Sequence, residues 1–174
     1  MLALQPPHRP DVHTPTRVYG RANSATALNV AAYKGHTSIV RLLLAERPPP
    51  AADFVDAQSG YSALGAASLE GHAVIVELLL SSARPPSLAV ANHLGRTPLV
   101  DAATACHARI VAAILRALPP GRASIAQLDI ALAAARASAA VRSNAECDAC
   151  TVALATAAAH AAARGDASST KAEL

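Results

Sequence analysis

Three stretches of this chain share one skeleton: "ATALNVAAYKGHTSIVRLLL" (Ala25 to Leu44), "YSALGAASLEGHAVIVELLL" (Tyr61 to Leu80) and "RTPLVDAATACHARIVAAIL" (Arg96 to Leu115). Their marker residues Thr26, Ser62 and Thr97 lie 36 and then 35 residues apart. In each copy a Ser or Thr is followed two residues later by Leu, then by a small-residue segment, a turn ending in His, and an Ile-Val…Leu segment. Agreement in both content and period constrains the fold more than any other feature, because each unit exposes an apolar stripe that only a neighbouring unit can bury.

Each unit reads as a helical hairpin. Thr26, Ser62 and Thr97 are N-cap types, and Pro98 suits the first helical position, where a missing N–H costs nothing. Gly35-His36 and Gly71-His72 end the first helix and turn the chain. Ile39, Val40, Leu43 and Leu44 then give the second helix a broad apolar stripe. Ile75, Val76, Leu79 and Leu80 repeat that stripe, as do Ile110, Val111, Ile114 and Leu115. The chain is 52% hydrophobic yet only 2% aromatic, so the expected core is Ala, Leu, Val and Ile in closely approaching helices, with modest stability.

These residues resemble the ankyrin repeat, whose pattern is roughly G-x-T-P-L-H-x-A-A-x-x-G-H-x-x-I-V-x-x-L-L. The third copy carries Gly95, Thr97, Pro98, Leu99, Ala102, Ala103, His107, Ile110, Val111 and Leu115 in register. The resemblance covers about residues 21–118 and implies an all-α solenoid of stacked hairpins joined by short extended loops. The signature His of the first helix is replaced by Asn29, Gly65 and Val100, so its hydrogen bonds between neighbouring repeats are expected to be lost in all three copies. The longer period comes from "ERPPPAAD" and "ARPPSLA", whose prolines stop the second helix and stiffen the return.

Beyond Pro119 the pattern fades into two Ala-rich helical segments with Leu128, Leu132 and Ala135 on one stripe and Ala139-Ala140 where a Gly-His turn would fall. This pair is expected to be a degenerate C-terminal capping repeat. The expected organisation is a Pro-rich disordered tail over 1–20, a repeat domain over 21–164 (units 21–55, 56–90 and 91–120, cap 121–164), and a disordered tail over 165–174.

Candidate chemistry is sparse. His36, His72 and His107 occupy one slot in successive units, about 10 Å apart by helix packing, whereas a zinc ion needs ligands ~2 Å away. They are expected to hydrogen-bond backbone at the turn, and no metal or cofactor is expected. Cys147-Asp-Ala-Cys150 is a C-x-x-C without the strand–helix context of a redox motif, and a metal- or redox-responsive role for Cys147 and Cys150 is the alternative reading. Three cysteines in all favour a reducing compartment and thiols packed as small hydrophobes. No catalytic motif stands out, so the chain is not expected to be an enzyme.

The net charge of +3 is dispersed and aromatics are few, which argues against a nucleic-acid partner. The run "TVALATAAAHAAA" spans 13 residues and is too short to cross a bilayer, so no membrane partner is expected. The expected state is an intracellular monomer, cytoplasmic or nuclear, either by itself or as the ankyrin part of a larger protein.

What remains is the concave face, which the resemblance implies binds another protein. Its slots hold Asn23, Ala25, Tyr33, Lys34, Gln58, Ser59, Tyr61, Leu69, Glu70, His93, Leu94, Arg96 and Thr104. Tyr and Arg commonly anchor interfaces, so Tyr33, Tyr61, Leu94 and Arg96 are its expected centre. One turn departs from the others: Cys106 stands where the other copies have Gly35 and Gly71. If that turn needs positive φ, a non-Gly residue costs about 1 kcal/mol, and Cys106→Gly is expected to stabilise the fold.

Overall fold

The computed structural model describes residues 27–46, 52–57, 60–118, 125–142 and 145–169. The Pro-rich segment 1–20, the Thr26 cap and residues 170–174 lie outside the described residues. Among the described residues, eight helices follow in chain order: α1 (Ala27–Tyr33), α2 (Thr37–Ala45), α3 (Ala63–Glu70), α4 (Ala73–Leu80), α5 (Pro98–Thr104), α6 (Ala108–Ala117), α7 (Ile125–Arg142) and α8 (Ala145–Ser169). They pair as four antiparallel hairpins stacked in two layers. Helices α1, α3, α5 and α7 form one layer, and α2, α4, α6 and α8 form the other. No strand occurs among the described residues.

The repeated sequence positions become repeated core positions. Leu28, Leu64 and Leu99 are buried in successive first helices, and Val40, Val76 and Val111 in successive second helices. Ala31, Ala67 and Ala102 are also buried, and their single methyl lets neighbouring first helices approach. Ile39 departs from the expected stripe: it is 46% exposed, whereas its counterparts Ile75 and Ile110 are each 1% exposed. Helices α4 and α6, which carry those two isoleucines, each pack on the second helix of the preceding unit, and no unit precedes α1 among the described residues.

Local capping follows the sequence in part. Ser62 accepts a hydrogen bond from the Gly65 N–H at 3.2 Å. Thr97 takes the same extended backbone conformation but makes no side-chain cap bond, so Pro98 at the helix start carries that boundary. The fourth hairpin has the expected core, with Leu128, Leu132, Ala135 and Leu154 buried. Its first helix runs unbroken through Ala139 and Ala140, as the missing glycine allows. The expected domain end at Arg164 falls inside α8, which runs on to Ser169.

Asn29 overturns one expectation. Its Nδ2 donates at 3.0 Å to Phe54 O and at 3.0 Å to Tyr61 O, tying α1 to the loop that enters the next unit. The amide retains the donor function of the histidine it replaces. Bonding between units through this position is therefore absent at Gly65, which has no side chain, and at apolar Val100, but not at Asn29.

Candidate partner-binding face

The face is framed by three turns that join the helices of units one to three. In each, the His N–H bonds the carbonyl five residues back, His36 to Ala31, His72 to Ala67 and His107 to Ala102, each at 2.9 Å. This closure needs a left-handed residue before the histidine. Gly35 (φ 78°), Gly71 (φ 83°) and Cys106 (φ 63°) supply it. The histidine rings then work between units. His72 Nε2 lies 3.1 Å from Tyr33 O, and His107 Nε2 lies 3.1 Å from Leu69 O. The expected backbone hydrogen bond is present, and it reaches the first helix of the preceding unit.

Glycine is required at these turns for a second reason. A Cβ on Gly35 would lie 2.7 Å from the His72 ring, and a Cβ on Gly71 would lie 2.7 Å from the His107 ring. Both distances are closer than real side chains tolerate. At the fourth unit no histidine follows, and Ser138 Oγ donates to Thr104 O at 2.8 Å, the third carbonyl in the row Tyr33, Leu69, Thr104. With the ring gone, there is room for a side chain at Cys106. That side chain is disulfide-bonded to Cys147 at the start of α8.

The disulfide revises the reading of the cysteines. Cys147 pairs with Cys106 and not with Cys150, because stacking brings the 105–107 turn against α8. Cys150 is a buried thiol, and burial, assisted by the Glu146 charge, pushes its pKa up to about 11. Of the three cysteines, only Cys150 is a thiol packed as a small hydrophobe. No group of three or more His, Cys, Asp or Glu suited to a metal ion occurs among the described residues. No described helix is long and apolar enough to cross a membrane.

The second edge of the face is the tip between units two and three. Asn92 Oδ1 accepts from Leu94 N at 2.9 Å and from Arg96 N at 3.0 Å, and the Asn92 N–H donates to Arg96 O at 2.9 Å. This Asx turn fixes the backbone around Leu94, which is 72% exposed. Asn92 Nδ2 also donates to buried Asp101 at 3.1 Å. Arg96 Nε sits 2.9 Å from Asp101 Oδ1, and Arg96 Nη2 donates to the Tyr61 hydroxyl at 3.3 Å. Burial raises Asp101 to about 6, even though Arg96 and Asn92 act to lower it.

The expected binding residues therefore separate into two groups. Tyr33 is 47% exposed, with Lys34 Nζ 5.2 Å from its ring centroid, and Glu70 and Leu94 are also open to solvent. Leu69 and Thr104 share the row with Tyr33 but are partly buried, and Thr104 Oγ1 is turned back onto Val100 O at 2.8 Å. Arg96 is committed both to the Tyr61 hydroxyl and to Asp101. Exposed His93 packs its ring where a Cβ on Gly60 would fall, 2.5 Å away. Asn23, Ala25, Gln58 and Ser59 lie outside the described residues. Asn92 escaped the sequence reading, although an Asn two residues before Leu94 is an Asx-turn signal.

Residues 2–87 match a family model described as ankyrin repeats in three copies. The third unit, the fullest match to the sequence pattern, lies beyond that span. No curated protein sequence matches the chain. Among solved structures, the crystal structure of the human ASB11 ankyrin repeat domain is similar, with a TM-score of 0.55 and 19% identity. That alignment covers 76% of this chain and 54% of the other, so the chain spans about half of that structure's length. At this identity the likeness concerns the fold alone.

Proposed function

Because this chain belongs to the ankyrin-repeat family, whose members are generally protein–protein interaction modules, we propose that it is a non-catalytic binding module that captures a partner protein on its concave face. The observation that carries this reading is the pairing of exposure with rigidity at Leu94. A leucine 72% exposed loses apolar hydration cost when covered, and a backbone already fixed by Asn92 has little entropy left to lose. Tyr33, at the other edge of the face beside the α1–α2 turn, offers a second amphipathic anchor. Tyr61 and Arg96 act beneath them as support, because both are bound to each other and Arg96 to Asp101. The reading carries with it a monomer, a cytoplasmic or nuclear setting, and no nucleic-acid or membrane partner.

The test is a double substitution of the exposed anchors. Tyr33→Ala with Leu94→Ala should reduce recovery of a crosslinked partner by at least ~tenfold, as expected when two central anchors are truncated. Helical circular dichroism should be unchanged, since neither side chain is buried. Undiminished capture by the double variant would move the binding face elsewhere.

A further inference from the structure

We propose that Cys106 and Cys147 form a redox latch that closes the C-terminal helix pair onto the third repeat. The inference is independent of the concave-face reading and concerns how the solenoid ends. The two residues are 41 apart in sequence, with Cα atoms 4.6 Å apart and both side chains buried. Cys106 occupies the left-handed turn residue, and Cys147 lies near the start of α8. A bond there joins the turn between α5 and α6 to the helix that packs on α6.

Four observations support a conditional role. The latch stands where the inner interfaces use a histidine ring packed on glycine, so reduction leaves this interface without either device. Among the described residues, the polar ties across it include Ser138 to Thr104 O and, at the solvent edge, exposed Arg142 Nη1 to Ala105 O at 3.4 Å. The buried residues of α7 and α8 include Ala131 and Ala135, which contribute little apolar area each. Cys150 lies three residues beyond Cys147 on the same helix and is held protonated by burial, so it is a poor competitor for the bond.

Closure converts two thiols to one disulfide with loss of two protons and two electrons. A low-molecular-weight disulfide such as oxidised glutathione accepts the electrons and departs as two thiols, by way of a mixed disulfide on one cysteine. Reduction by a thiol runs the same steps in reverse. Because both sulfurs are buried, either direction requires α7 and α8 to lift from the third unit first. In a reducing compartment the latch is open, and oxidation locks the cap.

The experiment uses the full chain in glutathione buffers of defined ratio, alkylated and then mapped by peptide mass spectrometry. Oxidation should link Cys106 to Cys147 and leave Cys150 alkylatable after unfolding. Hydrogen exchange across α7 and α8 should quicken ~tenfold or more on reduction, while α3 and α4 stay unchanged. The melting temperature should fall by roughly 5–10 °C on reduction. Cys147→Ser should behave as the reduced chain in both buffers. A Cys147–Cys150 link, or equal exchange of α7 and α8 in both buffers, overturns the latch. The wild-type comparison needs no variant, so it stands even if Cys147→Ser misfolds.

Discussion

At the two inner interfaces of the stack, a histidine ring from one unit fills the space that glycine leaves in the unit before it. At the last interface a disulfide fills it instead. The row of accepting carbonyls is the same throughout, Tyr33, Leu69 and then Thr104, but the donors change from His72 and His107 to Ser138. The Gly-His dipeptide is therefore not one local turn signal. Its glycine serves the histidine of the following unit, and its histidine serves the glycine of the preceding one. Where the following histidine is absent, the steric demand for glycine lapses and only the backbone demand persists. Cys106 meets that backbone demand at φ 63° and uses the vacated space for a covalent bond.

The largest expected effect separates these two demands. Gly71→Ala should destabilise the fold by about 2–4 kcal/mol, combining left-handed strain with overpacking against the His107 ring. Gly95→Ala keeps the strain, with φ 73°, but meets nothing within 4 Å, so its cost should be only about 1 kcal/mol. Urea denaturation of both variants measures the difference. Equal losses would mean that ring packing contributes nothing and that glycine is present for φ alone.

Sequence periodicity revealed what depends on local chemistry repeated at a fixed interval. The Leu28, Leu64 and Leu99 core series, the Pro98 helix start and the Cys106 turn strain are all of that kind. What it missed depends on which units touch. The C-x-x-C spacing drew Cys147 toward Cys150, yet stacking brings Cys147 to Cys106, a pairing no interval within one unit encodes. Arg96 looked like an anchor by residue type, but a buried carboxylate five residues later claims it. Asn29 looked like a lost histidine, and only the loop at Phe54 and Tyr61 reveals that its amide still bridges two units.

The buried carboxylate provides the next test, of intermediate size. Asp101 is raised from 3.8 to about 6 in the fold, chiefly by burial. Between those values the folded chain retains a proton that the unfolded chain has released, so this group's contribution to stability falls as pH rises from about 4 to about 6. Above that window the cost is fully present. Asp101→Asn removes the titration, so its melting temperature relative to wild type should climb by a few degrees as pH rises through the window. A constant offset between the two chains would show that Asp101 stays ionised throughout, held by Arg96. The tip around Leu94 would then depend on the ion pair more than on burial.

The smallest effect concerns Cys106 in the reduced chain. Relief of left-handed strain alone, about 1 kcal/mol, favours Cys106→Gly. The structure adds an opposing contribution, because Cys106 is only 2% exposed and removing its Cβ and sulfur gives up buried contact of similar worth. Under reductant the two effects nearly cancel, and the variant should melt within about 2 °C of wild type. Under oxidant the same substitution removes the latch, so the glycine chain should be clearly less stable. The expected stabilisation thus gives way to a dependence on redox state, read as the change in the gap between the two melting temperatures. An unchanged gap would mean that the terminal interface, like the inner ones, is held by packing alone.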